Sequence, residues 1–144
     1  MVAFVVICIS MRFAKVVFTV AAIWGFIVLT PLYFLEEKIG LTNPPAITHP
    51  EYFYGFICVA LAWQVAFLII ARDPARYRAL MIACMLEKFP FPIACALLYV
   101  HGRIAPPVLA SSMVDLLLGV LFVISYMRTK TSETVVGKLK ASSQ

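Results

Sequence analysis

Residues 79–100 read ALMIACMLEKFPFPIACALLYV, and the fold turns on whether this stretch crosses a membrane. A helix rises about 1.5 Å per residue, so about 20 apolar residues cover a hydrocarbon layer about 30 Å thick. Apart from Glu87 and Lys88 the stretch carries no charge. Three further windows resemble it: Phe13–Leu35, Tyr52–Ala71 and Val108–Met127. The chain has 144 residues, 63% hydrophobic and 13% charged, with a mean hydropathy of +0.98. Soluble domains run near 45–50% apolar and about 25% charged. The excess is too large for the core of so short a chain, and it comes in blocks. The reading is all-α: a polytopic membrane four-helix bundle forming one domain over residues 13–127.

The punctuation agrees. Asp73 is placed to cap the third helix, with Pro74 at its first position, where no donor is lost. Pro50 opens the second helix and Pro106–Pro107 the fourth, while Gly40–Pro50, with Asn43-Pro44-Pro45, reads as a loop. Residues 1–12 form a separate N-terminal segment, because MVAFVVICIS is too short to span before Arg12 interrupts it. Met11-Arg12-Phe13 also reads as an alternative start. No small-residue cleavage site follows the first span, so that span is expected to be retained. Residues 128–144 read as a basic, disordered tail able to touch anionic lipid.

Charge supplies direction. Of the 12 lysines and arginines, Lys88 lies within a span. Arg12, Lys15, Arg72, Arg76, Arg78, Arg128, Lys130, Lys138 and Lys140 fall at one set of span ends, and only Lys38 and Arg103 at the other, beside Glu36, Glu37 and Glu51. Cationic loops face the cytoplasm, which predicts both termini cytoplasmic. The formal charge of +5 thus follows the span ends and argues against a nucleic-acid partner; membrane lipids are the expected surroundings.

Inside the spans, three ionisable residues stand out: Glu87, Lys88 and Asp115. Each costs about 2.5–3.5 kcal/mol at mid-membrane on insertion scales, which makes it a functional-site candidate by default. Counting residues places Glu87 and Asp115 at depths about 7 Å apart, within reach of tilt and side-chain length. Gln64 and Trp24, with Gly25, fall near the same layer. Ser111, Ser112, Asp115 and Gly119 share one helical side, and Ala83, Cys84, Glu87, Phe91 and Ala94 another. These small residues let helices approach closely in lipid. Pro90 and Pro92 cannot donate to the carbonyls of Leu86 and Lys88, so a carboxylate, an ammonium and freed carbonyls gather within one turn. Glu87, Lys88, Asp115, Gln64, Trp24 and Ser112 are therefore the candidate ligand-binding residues. The same residues suit a second reading, in which Lys88 pairs with an acid and locks two helices together. One lysine cannot balance two carboxylates on either reading.

Other polar residues carry less. Cys8, Cys58, Cys84 and Cys95 lie within apolar runs at spacings that match no zinc or CxxC pattern, and read as small buried hydrophobes. His49 and His101 fall in loops without a second ligand at useful spacing, so no metal site is expected. Tyr52, Phe53, Tyr54 and Tyr99 at one interface, with Tyr77 and Tyr126 at the other, read as aromatic belts. No cofactor motif, phosphate loop or nucleophile–histidine pair is present.

On its four spans, its basic turn Arg72-Asp73-Pro74-Ala75-Arg76-Tyr77-Arg78 and the acids of its later helices, the chain resembles the DoxX-like small membrane proteins over residues 13–127. It is similar at a greater distance to the sterol isomerase and emopamil-binding proteins, whose histidine and paired-glutamate arrangement it does not reproduce. The resemblance implies a bacterial inner-membrane protein. Three functional classes follow from the whole reading. One is a module that binds or helps move a small amphiphile, a quinone or a proton-linked solute, as a homodimer where transport is involved. Another is an accessory subunit of a larger membrane complex. The last is an intramembrane acid/base enzyme such as an isomerase using Glu87 and Asp115.

Overall fold

The computed structural model describes residues 2–42 and 46–141. It contains six α-helices: α1 (Val2–Leu29), α2 (Glu36–Thr42), α3 (Pro50–Arg72), α4 (Leu80–Lys88), α5 (Pro90–Val100) and α6 (Pro106–Ala141), with a short 3-10 turn, Thr30–Phe34, closing α1. Four stretches are long and apolar enough to cross a membrane: Cys8–Phe34, Pro50–Arg72, Leu80–Val100 and Pro106–Thr129. The chain is a multi-pass membrane protein with an all-helical bundle. The expected spans match these four to within a few residues at most ends.

Proline accounts for most of the boundaries. Pro50 and Pro106 begin α3 and α6, where the missing N–H would have had no helical partner. Pro31 opens the 3-10 turn that ends α1. Pro90 and Pro92 divide the third span into α4 and α5 at Phe89. Phe89 keeps helical torsions (φ −81°, ψ −40°) and still donates to the Met85 carbonyl at 3.1 Å. The chain thus bends here without unwinding, the usual response to two missing donors.

Two expectations are corrected. Pro74 does not start a helix: residues 74–79 are turns, α4 begins at Leu80, and the Asp73 carboxylate accepts the Arg76 N–H at 3.1 Å. Asp73 therefore caps the turn. Gly40–Thr42 belong to α2 rather than to a loop, because Glu36 and Glu37 place acidic charge in its first turn; Asn43–Pro45 lie outside the described residues. At the two ends, α1 begins at Val2 and runs on through Arg12 and Lys15, which are good helix formers with stems long enough to keep their charge at the surface, and α6 extends to Ala141, with no proline after Met127 to stop it.

Around the bundle, α3 packs on α1, α1 on α6, and α6 on both α4 and α5. The ring is not closed: α3 meets α4, whereas α5 makes no substantial contact with α3. At the end that carries the Arg72–Ala79 turn, a core of Phe18, Phe67 and Phe122 joins α1, α3 and α6. Phe18 stacks on Phe122 with centroids 4.3 Å apart, and Phe67 meets both edge-on at 6.0 and 5.1 Å. Aromatic pairs of this geometry contribute about 0.5–1.5 kcal/mol each beyond their burial. Arg78 lies 3.8 Å over the Tyr126 ring and Arg128 4.4 Å over Phe13, so the cations of this end are held on the two longest helices.

Gly25 lets α1 lie directly against the Gln64 side chain of α3. A Cβ there would overlap the side-chain oxygen and carbon of Gln64, both on a fully packed side chain. Gly25→Val is expected to lower stability by about 1–3 kcal/mol through overpacking. Gly55→Ala, with nothing within 4 Å, is expected to raise it by about 0.5–1 kcal/mol through helix propensity. Thermal unfolding of the two variants in detergent, compared with the parent, reads both signs at once.

Candidate ligand cleft

Lys88 is the centre of the site. Its residue is 7% exposed, at the last position of α4 immediately before the proline break. The ammonium donates to Asp115 Oδ1 on α6 at 2.8 Å and to Glu87 Oε1 at 3.2 Å. It also lies 5.5 Å from the centroid of the Phe67 ring, which adds cation–π attraction. Lys88 thus unites the two acids that residue counting placed at different depths. Opposite it, Gly119 admits the Phe89 ring and the Lys88 stem: a Cβ on Gly119 would lie 3.1 Å from Phe89 Cζ and 3.3 Å from Lys88 Cβ.

The inward face of this span differs from the expected one. The buried positions are Met81, Cys84, Lys88, Pro92 and Cys95, whereas the expected stripe was Ala83, Cys84, Glu87, Phe91 and Ala94, so that Cys84 alone is common to both. The stripe is rotated by one residue, about 100° at 3.6 residues per turn. The ammonium points inward and Glu87 sits on the shoulder beside it, because Lys88 must reach Asp115 across α6. Ala94 is exposed, and Phe91 is 47% exposed.

A cleft of about 720 Å³ lies over this ion cluster. Its walls come from α1 (Ala21, Trp24, Gly25, Val28, Leu29), the 3-10 turn (Leu32), α3 (Phe56, Val59, Ala60, Trp63, Gln64), α4 and α5 (Glu87, Lys88, Phe91) and α6 (Ser111, Val114, Asp115). All four spans contribute. The polar groups cluster in one part of the wall and the remainder is apolar, with the two tryptophans of the chain both included. The Phe18–Phe67–Phe122 cluster packs toward the Arg72–Ala79 end, with Phe67 one turn beyond Gln64, and none of the three lines the cleft.

Gln64 is 2% exposed. Its Nε2 donates to the Ala60 carbonyl at 2.8 Å, which fixes the orientation of the amide. Gln64 Oε1 is buried against α1 and has no hydrogen-bond partner among the described residues; Glu87 Oε2 is in the same condition. A buried acceptor left unmet costs about 1–3 kcal/mol, so two of them at one cleft are a standing demand for donors.

Five of the six sequence-derived residues, Glu87, Lys88, Asp115, Gln64 and Trp24, line the cleft. Ser112 does not: it is fully buried and donates to the Leu109 carbonyl at 2.7 Å. Its neighbour Ser111 lines the cleft instead, and donates to the Val108 carbonyl at 2.8 Å. Trp63, Ala60 and Phe56 were missed. The steps of four residues from Phe56 to Ala60 to Gln64 carried that signal, since such steps share one helix side. Of the cysteines, Cys84 and Cys95 are buried as expected, but Cys8 and Cys58 face outward. Cys58 Sγ lies 2.9 Å from the Tyr33 hydroxyl. His49 pairs with Glu51 at 3.1 Å and His101 with the Leu97 carbonyl at 2.7 Å. Both are local contacts away from the cleft.

No family model matches the chain, and no curated protein and no solved structure is similar to it at a significant level. The DoxX-like resemblance therefore rests on the residues quoted for it.

Removing one partner from a buried charge cluster leaves the others uncompensated and costs about 3–5 kcal/mol, whereas replacing a whole pair by apolar groups is often neutral. Lys88→Met is expected to destabilise the fold by that amount. The triple variant Glu87→Gln/Lys88→Met/Asp115→Leu, which leaves no unpaired charge, is expected to recover most of the loss. A mutant cycle on thermal unfolding in detergent measures the coupling directly.

Proposed function

We propose that this protein binds, or helps move, a small amphiphilic or proton-linked ligand in the cleft, with Glu87, Lys88, Asp115, Gln64 and Trp24 as contacting residues. The observation that supports this most is the division of the cleft: a buried ion cluster with unmet acceptors in one part of the wall and apolar side chains elsewhere. Ligand sites combine an apolar lining with a few placed polar groups in this way, at volumes of about 300–1,000 Å³. The gap between α3 and α5 gives an apolar tail a lateral way in from the bilayer.

Ala60→Phe fills the cleft without touching the ion cluster. Native mass spectrometry of the detergent-purified protein should find a retained small molecule in the parent and none in this variant. Equal retention by both, or retention by neither, would defeat the reading.

The proposal includes an orientation in the cell inner membrane, with both termini in the cytoplasm. The excess of lysine and arginine at the Arg72–Ala79 end supports it. Alkaline phosphatase fused after Gly102 should be active, and fused after Arg76 inactive; the opposite pattern would reverse the topology.

An accessory role in a larger membrane complex is the second reading. It draws on the Lys88–Asp115 bond at 2.8 Å, which ties α4 to α6 and gives the charges a packing role independent of any ligand. It makes no use of the two unmet acceptors.

A further inference from the structure

Resting on the ligand-binding reading above, we infer that the cleft selects its ligand by a hydrogen-bond-donating head group, a hydroxyl or a protonated amine on an apolar tail, and discriminates against heads that only accept. Three observations converge on this. The amide of Gln64 is oriented by its bond to the Ala60 carbonyl, so Oε1 is the atom left over, and oxygen there can only accept. Glu87 Oε2 is the second unmet oxygen of the same wall. The strongest donor nearby, the Lys88 ammonium, gives two of its three N–H groups to carboxylate oxygens, at 2.8 and 3.2 Å. The oxygens left unmet in this wall are thus acceptors, on Gln64 and Glu87.

A ligand with an O–H or N–H that reaches Gln64 Oε1 beside Gly25, with the amide still bonded to the Ala60 carbonyl, supplies what the protein lacks. A carboxylate or a diketone such as an oxidised quinone supplies another acceptor and would have to compete for Lys88. Selection of this type is strong, because the penalty for the wrong head is a buried polar group left unpaired. A head that donates to either Gln64 Oε1 or Glu87 Oε2 meets one of these acceptors and adds no further carboxylate to the cluster.

Trp24 and Trp63 are the only tryptophans in the chain and both line the cleft. Fluorescence quenching by a brominated tail therefore reports binding without labelling. The probes are 11-bromoundecanol, 11-bromoundecylamine and 11-bromoundecanoate, titrated into the full chain in a non-ionic maltoside micelle at pH 8. The alcohol, the amine or both should quench saturably, while the carboxylate gives only the linear quenching of micelle partitioning. The alcohol and amine isotherms separate the two sources of the donor.

Gln64→Leu should weaken saturable quenching roughly five- to tenfold, the worth of one hydrogen bond to a neutral group. Glu87→Gln, which turns the second unmet acceptor into an amide able to donate, should weaken the donor-headed probes as well, so the inference is tested even where Gln64→Leu fails to fold. Saturation by the carboxylate as tight as that of the donor heads, or an isotherm unmoved by Gln64→Leu, overturns the inference while leaving a binding cleft. Linear quenching by all three probes overturns the inference and the ligand-binding reading together.

Discussion

An ammonium held inside an apolar bundle imposes the main constraint on this molecule. Lys88 is 7% exposed, and a charge so placed is tolerated only with partners at bonding distance. Asp115 has to come from α6 and Glu87 from the adjoining position of α4, so the third and fourth spans must meet at this level. Gly119 follows from the same demand, since any side chain there would press on Phe89 and the Lys88 stem. The proline break follows as well: it comes directly after Lys88, where the span must bend past the contact without losing its helical course.

The cost of that arrangement is concentrated at the cleft. Three charged groups and one amide share the site, and the hydrogen bonds among them do not close. Lys88 satisfies one oxygen on each carboxylate, Ala60 satisfies the Gln64 amide nitrogen, and Gln64 Oε1 and Glu87 Oε2 remain. A polar network built only to hold helices together is most stable when fully satisfied, and a partly satisfied one is less favourable than an apolar core. Packing alone does not account for Gln64, which a leucine would replace without an unmet oxygen. This asymmetry gives ligand binding more explanatory reach than a structural lock.

Much of the bundle was legible in the sequence because lipid leaves the backbone few choices. A span must satisfy its own hydrogen bonds, so length and hydropathy nearly decide the element. Pro50 and Pro106 marked their helix starts for the same reason. The charged layer was legible too, since Glu87, Lys88 and Asp115 are the only ionisable residues deep within apolar windows. The facing of the third span was not. Small residues flank both Glu87 and Lys88, so the stripe alone could not say which of the two neighbours points inward. That choice depends on the Lys88–Asp115 contact, a tertiary fact. Ser112 and Ser111 posed the same problem one helix away, and each serine bonds a carbonyl of its own helix in the manner common for hydroxyls in apolar helices.

The open edge between α3 and α5 gives the cleft its character. In water an unclosed bundle would expose apolar side chains at a large cost, but lipid tails are as apolar as leucine, and helices associate in them through packing and polar contacts. The α3–α5 edge has neither a polar bridge nor a small-residue seam, and Phe56, Val59 and Phe91 on its two sides are large and substantially exposed. Nothing in the sequence pulls these helices together, whereas Lys88 pulls α4 onto α6 and Gly25 admits α3 to α1. The bundle is thus cohesive on three sides and open on the fourth, at the level where the unmet acceptors lie. An apolar tail resting against that edge and a head reaching Gln64 and Glu87 would complete the packing that the four spans leave undone.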